Sequence, residues 1–345
     1  MPWPIDDFQA DFLNHVYQEG LSQFAYENDL TRDDLASFQS DNTDVQEAVE
    51  YSGDGVLSLQ SGGKDSLLTA SLLNERGDDF VGWYISSSDA HPHILDDLGR
   101  PLLVSKRQID LKKLNELHEI GARNGHVPIT YIVQSLALVQ AILTNRNAVL
   151  VSIAHEGEEP HAEIGDMSVT HQWSKTWQAE QLYAKYVESY ISYNIKIGSP
   201  LRQYSELRVA ELFVQKAWDK FGYKFSSCNR ANYRQAADNS ELHWCGNCPK
   251  CANTYILFAP FLPADELKSL FAGQDLFTKP SLEETFKGLL GLYGVIKPFE
   301  CVGETNELRY AYLLAQEKGG YGRLPFEVPA TDYDYLVEWP HQELI

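Results

Sequence analysis

The sequence predicts an α/β protein: a parallel sheet with helices on both faces, extended by a cysteine-rich metal-binding segment and a helical C-terminal region. Three observations carry this expectation. Between residues 51 and about 170, apolar runs of strand length alternate with helix-length stretches, the rhythm of β–α–β units. From about residue 170 the pattern turns helical. Cys245, Cys248 and Cys251 then recur at a spacing that suits one metal ion better than a disulfide framework. The boundaries that follow are a helical N-terminal extension at 1–50, an α/β domain at 51–225, and the cysteine segment with its C-terminal helices at 226–345.

Taken in order, residues 1–50 read as acidic helices, for instance at 8–13 and 33–38. The first residues, Met1 to Asp7, lack the basic and apolar regions of a signal peptide. Gly53-Asp54-Gly55 punctuates the chain, and the apolar run at 56–59 begins the first strand. A Ser61-Gly62-Gly63 turn leads into a helix whose leucines, at 67, 68, 72 and 73, face a sheet. A second strand is expected at 80–85, a crossover helix at 111–122 and a third strand at 129–133. A helix at 136–143 and the clearest later strand, at 148–153, follow. Beyond these, helices are expected at 174–191 and 206–221, and Pro280 with Ser281-Leu282-Glu283-Glu284 fits a capping box.

With 345 residues, 43% apolar and 12% aromatic, the chain has material for a sizeable core and is not a disordered protein. Its 28 basic and 49 acidic residues leave a net charge of −21. Such a field repels nucleic acids and anionic membranes, so neither is expected as a partner. No apolar run reaches the length of a membrane-spanning helix. Five cysteines, an odd number with CxxC spacing, point to a reducing compartment and a cytoplasmic location.

The strand-to-helix turn reads Ser61-Gly62-Gly63-Lys64-Asp65-Ser66. Its two glycines let successive backbone N–H groups face a polyanion, and the following helix adds its positive end. Ser61 and Ser66 can donate hydroxyl bonds, Lys64 adds charge, and Asp65 suits Mg²⁺. It is not a Walker A loop, because residue 58 is Ser where Gly is required and Asp65 stands where Ser or Thr is required. The spelling SGGKDS after a strand resembles the PP-loop ATP pyrophosphatases, a HUP-like fold that splits ATP into AMP and pyrophosphate while adenylating a substrate. A plain glycine turn before a capped helix is the competing reading.

Cys245-Gly246-Asn247-Cys248-Pro249-Lys250-Cys251 brings three thiolates to one point, and either Cys228 or His243 supplies the fourth ligand. Four protein ligands without an open position suit structural Zn²⁺ better than an iron–sulfur cluster. Buried free thiols are the alternative.

Three other segments are weaker. His155-Glu156-Gly157-Glu158 follows a strand, where Glu156 and Glu158 can hold Mg²⁺ or simply form a solvated loop. His171, Gln172, Ser174 and Lys175 gather at a helix start, where a carboxylate or phosphate is welcome, while Trp173 and Trp177 read as core. His91-Pro92-His93 has no evident partners and is assigned no metal. In Lys297-Pro298-Phe299-Glu300-Cys301-Val302-Gly303-Glu304, Cys301 is the cysteine left over from the cluster. With Lys297 nearby it is a candidate proton carrier, and Glu304 is a second. A buried cysteine beside a turn is the competing reading.

SGGKDS, the stretch from Val169 to Lys175, the cysteine knuckle and the segment 297–304 occur in this order. Together they resemble the UDP-N-acetylmuramoyl-L-alanyl-L-glutamate epimerase family over about residues 55–310. The resemblance implies an ATP- and Mg²⁺-dependent epimerase of peptidoglycan synthesis that inverts the terminal L-glutamate of a UDP-linked dipeptide and releases AMP and pyrophosphate. It implies nucleotide binding by Ser61, Gly62, Gly63, Lys64, Asp65, Ser66 and Lys175, with Asp65 and Glu156 or Glu158 at Mg²⁺. Cys301, His171 and Glu304 are its candidates for proton transfer, and Cys228, Cys245, Cys248 and Cys251 its zinc ligands. Two alternatives stand beside it: a deazaguanine nitrile synthase-type enzyme acting on a nucleobase, and an ATP-binding module without turnover.

Overall fold

The computed structural model describes residues 4–41, 47–234 and 240–344. Met1 to Trp3, part of the expected N-terminal extension, and residues 235–239 of the cysteine segment lie outside them.

Helices α1 (Asp7–Asn14) and α2 (Ser22–Glu27) precede strand β1 (Val56–Leu59). Then come α3 (Lys64–Arg76), β2 (Phe80–Ser86), β3 (Leu102–Lys106), α4 (Leu111–Glu119), α5 (Ile129–Leu143) and β4 (Ala148–Leu150). A hairpin, β5 (Ala162–Ile164) with β6 (Met167–Val169), leads to α6 (Trp177–Tyr190), β7 (Lys196–Gly198), α7 (Glu206–Lys216) and α8 (Trp218–Phe221). The last helices are α9 (Pro249–Phe258), α10 (Ala264–Ser269), α11 (Glu283–Leu289) and α12 (Thr305–Lys318).

The main sheet runs β3-β2-β1-β4-β7, every neighbouring pair parallel. Because side chains alternate along a strand, both faces need cover. Val56, Phe80, Tyr84, Ala148 and Leu150 pack with α3, α7 and the C-terminal helices in one core. Their neighbours Leu57, Val81, Trp83 and Val149 pack with α5 and α6 in a second. Phe12 of α1 closes that second layer, its ring 4.6 Å from Tyr186 and 5.9 Å from Tyr131. The expected α/β architecture with a helical C-terminal region is therefore present, and Phe258, Leu289 and Leu308 of that region share the first core.

Several element expectations are corrected. Residues 129–133 begin α5 rather than a strand, since a short apolar run fits a buried helix as well as a strand, and here it continues unbroken into 136–143. The third and fifth strands, β3 and β7, escape the sequence pattern because one is a partly exposed edge and the other is three residues long. Residues 33–38 are not an α-helix: a single 3-10 turn, Arg32–Asp34, ends at Leu35 in extended backbone. The strand at 148–153 stops at Leu150, and the helix at 111–122 is shorter and buries no residue. Ser281 does not cap a helix; its hydroxyl donates to Asn247 instead.

Candidate active site

Strand β1 pairs with β2 on one side and β4 on the other, so crossovers leave it in opposite directions. That switch point opens a crevice at the carboxyl ends of parallel strands. A cavity of about 470 Å³ lies there, lined by Leu59 at the end of β1, Ser61 after it, Ile85 of β2, and Val151 to Ile153 after β4. Ile129 and Val133 of α5 and Lys175, Asn229, Lys250 and Cys301 from later segments complete its walls.

The loop at its floor is built by its own residues. Gly62 sits at φ +79°, and a Cβ there would lie 2.5 Å from Leu242 Cδ1. A Cβ on Gly63 would lie 2.8 Å from Ser227 Oγ. Gly63 N donates to Ser61 Oγ at 3.3 Å, and Ser61 N donates to Ser66 Oγ at 3.2 Å. The two hydroxyls are 3.3 Å apart. Serines at both ends thus brace a turn that only glycine can make, and the first-turn amides of α3, which have no acceptor within the helix, open beside the cavity.

Ser61, Gly63, Asp65 and Ser66 line the cavity, but Lys64 does not. Its Nζ lies 2.6 Å from Asp65 Oδ1 and 2.6 Å from Glu206 Oε2 in a buried cluster. Burial disfavours the ammonium, yet the two carboxylates outweigh it and raise its pKa. Lys175 does reach the cavity, 3.3 Å from the buried carboxylate of Glu156. It too is held charged against burial, with Cys301, Glu156, Glu206 and Asp65 as the surrounding groups.

Glu158 is turned to α6, where its Oε1 accepts from Trp177 N at 2.8 Å. Asp65, Glu156 and Glu158 do not gather as one set of three ligand atoms. Among the described residues, the only set of three or more His, Cys, Asp or Glu ligand atoms within 4.8 Å of one another is the cysteine cluster.

Of the three candidates for proton transfer, Cys301 lines the cavity and the other two stand away from its walls. His171 Nδ1 is 2.7 Å from Gln23 Oε1 of α2, and its ring is 4.4 Å from that of His126. Burial brings its pKa down to about 4, so the imidazole is neutral at pH 7. Glu304 stands at the N-cap position of α12 without a side-chain capping bond, and its pKa rises to about 7 through burial and the nearby Glu159 and Glu158, against the pull of Lys297. Lys297 Nζ is 2.7 Å from Glu159 Oε2 rather than beside the thiol.

The sulfurs of Cys228, Cys245, Cys248 and Cys251 gather with separations of 3.7 Å (228–248), 3.7 Å (245–251) and 3.5 Å (248–251). Four sulfurs around Zn²⁺ at its usual bond length stand about 3.8 Å apart, so the set fits a tetrahedral ion. Backbone N–H groups of Ala231 and Asn247 point at Cys228 Sγ and Cys245 Sγ, each at 3.4 Å, support that thiolates need. Cys228 is the fourth member and not His243, whose side chain is exposed. His91 Nε2 lies 2.8 Å from Asp96 Oδ1, and His93 Nδ1 lies 3.0 Å from Glu241 Oε1.

Two features carry no sequence motif. Arg202, fully buried, donates to Glu180 Oε2 through Nε and Nη2 and to the carbonyls of Ala154 and Lys175 through Nη1. It ties the loop after β4 to the turn that carries Lys175. Lys250 stands inside the cysteine motif, where only the thiols draw attention, yet its Nζ donates to the Cys301 carbonyl at 2.6 Å.

Comparison with known proteins gives a consistent result. The family model described as the MurL N-terminal domain matches residues 1–199, and that of the MurL C-terminal domain matches residues 224–326. A protein of Micromonospora sp. named UDP-N-acetyl-alpha-D-muramoyl-L-alanyl-L-glutamate epimerase is 32% identical over 328 residues, 94% of this chain and 71% of that one. Proteins with the same name from Salinispora tropica and Xanthomonas oryzae pv. oryzae are 32% and 33% identical, over 94% and 90% of this chain and 70% and 67% of their own.

Proposed function

The chain belongs to the MurL family, and on that premise we propose that it is an ATP-dependent epimerase of the terminal L-glutamate in UDP-N-acetylmuramoyl-L-alanyl-L-glutamate. The observation that carries the mechanism is that Ser61, Asp65 and Cys301 line one cavity. A phosphate-facing loop and a thiol in one chamber suit a reaction that first activates a carboxylate and then moves the proton next to it.

A free carboxylate is too electron-rich to release its α-hydrogen as a proton. In the proposed sequence a glutamate carboxylate oxygen attacks the α-phosphorus of ATP, the bond to the β-phosphate oxygen breaks, and pyrophosphate leaves. The acyl-adenylate withdraws electrons, so a base can take the α-proton and an acid return one from the opposite face. Water then attacks the acyl carbon and AMP departs.

The loop amides and α3 would hold the phosphates, with Lys175 adding charge. Asp65 would share Mg²⁺ with them, in keeping with an ion that takes one or two carboxylates plus phosphate oxygens and neutralises their charge. Glu156 and Glu158, engaged with Lys175 and α6, are left to hold those groups in place. Cys301 is the proton carrier in this reading, and the four clustered cysteines hold structural Zn²⁺. Thiolates that must stay reduced to hold a metal belong with a reducing cytoplasm.

The test uses the UDP-linked dipeptide with ATP and Mg²⁺ in D₂O. Deuterium at the glutamate α-carbon, D-glutamate on hydrolysis and AMP as the nucleotide product are expected. AMP without α-deuterium would reduce the protein to an adenylating enzyme, and no nucleotide turnover would overturn the reading.

A further inference from the structure

Residues 291–304, which carry Cys301 into the cavity, contain neither helix nor strand, so no backbone ladder of their own fixes the thiol. Lys297 ties the segment to Glu159 at 2.7 Å and Phe299 packs on Tyr26 and His161, but around Cys301 itself three bonds come from residues beside the clustered cysteines. Asn229, next to Cys228, donates from Nδ2 to Glu300 Oε2 at 2.9 Å. Lys250, between Cys248 and Cys251, donates from Nζ to the Cys301 carbonyl at 2.6 Å. Asn253, two residues after Cys251, accepts from Gly303 N through Oδ1 at 2.9 Å. Gln172 adds one bond from outside the cluster, Nε2 to the Val302 carbonyl at 3.0 Å.

We propose that the cysteine cluster is a positioning device for Cys301, acting through Lys250 with Asn229 and Asn253, and not a fold staple alone. Among the described residues two cationic side chains line the cavity: Lys175 is paired with Glu156, whereas Lys250 meets no carboxylate there and donates to the Cys301 carbonyl. Pro249 begins α9 immediately after Cys248, so the geometry of the four sulfurs sets the direction in which this helix presents Lys250 and Asn253. Cys301 and the nucleotide loop both line the cavity but come from separate segments, and a displacement of about 1 Å at one of them is enough to cost large factors in proton transfer.

The inference rests on the epimerase reading, with Cys301 as proton carrier. It is tested on the full-length, metal-loaded protein with Lys250→Met, Lys250→Arg and, in parallel, Cys301→Ser. For Lys250→Met the ratio of α-deuterium incorporated to AMP formed is expected to fall at least about tenfold, with metal content and melting temperature unchanged. Lys250→Arg, which keeps a charged donor, recovers part of the ratio. Asn253→Ala, which removes the bond from Gly303 N, should lower the same ratio more weakly. An unchanged ratio in Lys250→Met beside a collapsed one in Cys301→Ser would overturn the positioning role while leaving the reading intact. Loss of metal or of thermal stability in Lys250→Met, with both activities reduced alike, would also overturn it. Full exchange in Cys301→Ser would instead sink the reading beneath it.

Discussion

Lys64 Nζ lies 2.6 Å from Glu206 Oε2, and both side chains are buried. The lysine of the phosphate-loop motif therefore anchors the start of α3 to the start of α7 and does not line the cavity. Removing one partner of a buried pair leaves an uncompensated charge, so Lys64→Met should destabilise the protein by about 3–5 kcal/mol in urea unfolding. A Lys64→Met, Glu206→Leu double variant should recover much of that loss. An unchanged urea midpoint in the single variant would return the lysine to a direct role at the phosphates.

The nucleotide products discriminate the loop's chemistry. Asp65→Ala should abolish AMP formation, because Asp65 is the loop carboxylate on the cavity wall. Ser61→Ala should weaken it, since Ser61 Oγ braces Gly63 N at 3.3 Å. Chromatography of the nucleotides decides the matter, and ADP with phosphate in place of AMP would exclude an attack at the α-phosphorus.

Metal analysis tests the cysteine cluster. Protein purified without chelators should hold one zinc per chain, and Cys248→Ser or Cys228→Ser should lose it together with thermal stability, because metal binding in such sites contributes to folding. His243→Ala should keep the full complement. Zinc retained by Cys228→Ser and lost by His243→Ala would reverse the assignment of the fourth ligand.

Stability should fall with rising pH through two buried carboxyls. Burial lifts Glu307 to about 8 and Glu304 to about 7, from an ordinary value of 4.5. Around Glu307 stand Glu206 and Glu304, which raise it further, and Leu207 N, which opposes them with a 2.7 Å bond to Oε1. The folded protein keeps protons that the unfolded chain has already released, so these groups weaken the fold progressively from about pH 4.5 to pH 8 and do so fully above it. Glu307→Gln keeps the oxygen that Leu207 N needs and removes the titration. Its melting temperature should match the wild type at pH 4 and exceed it at pH 8.5; equal values at pH 8.5 would show that Glu307 carries no such cost.

Much of the molecule is legible in the residues themselves. The glycine turn between β1 and α3 follows from Ser61-Gly62-Gly63, and the metal knuckle follows from Cys245, Cys248 and Cys251. The strands at 56–59 and 80–85 and their helices announce the parallel sheet, and the four ordered motifs point to the family. The start of the helix at 129–143 is ambiguous in the sequence, because Ile129, Tyr131, Ile132 and Val133 satisfy a strand pattern as well as a helical one over so short a window.

The features readable from the residues alone are local: which residues can turn, which can gather a metal, and which segments alternate between sheet and helix. These depend on spacings of a few residues, where propensity and steric restriction act without help from the rest of the chain. Where the charged groups point depends on long-range packing. Lys64 meets Glu206 across 142 positions, Lys250 meets the Cys301 carbonyl across 51, and Cys228 reaches Cys248 across 20. A buried charge or thiol must end beside whatever partner compensates it, and that partner is brought near by the packing of the cores, which no local spacing encodes.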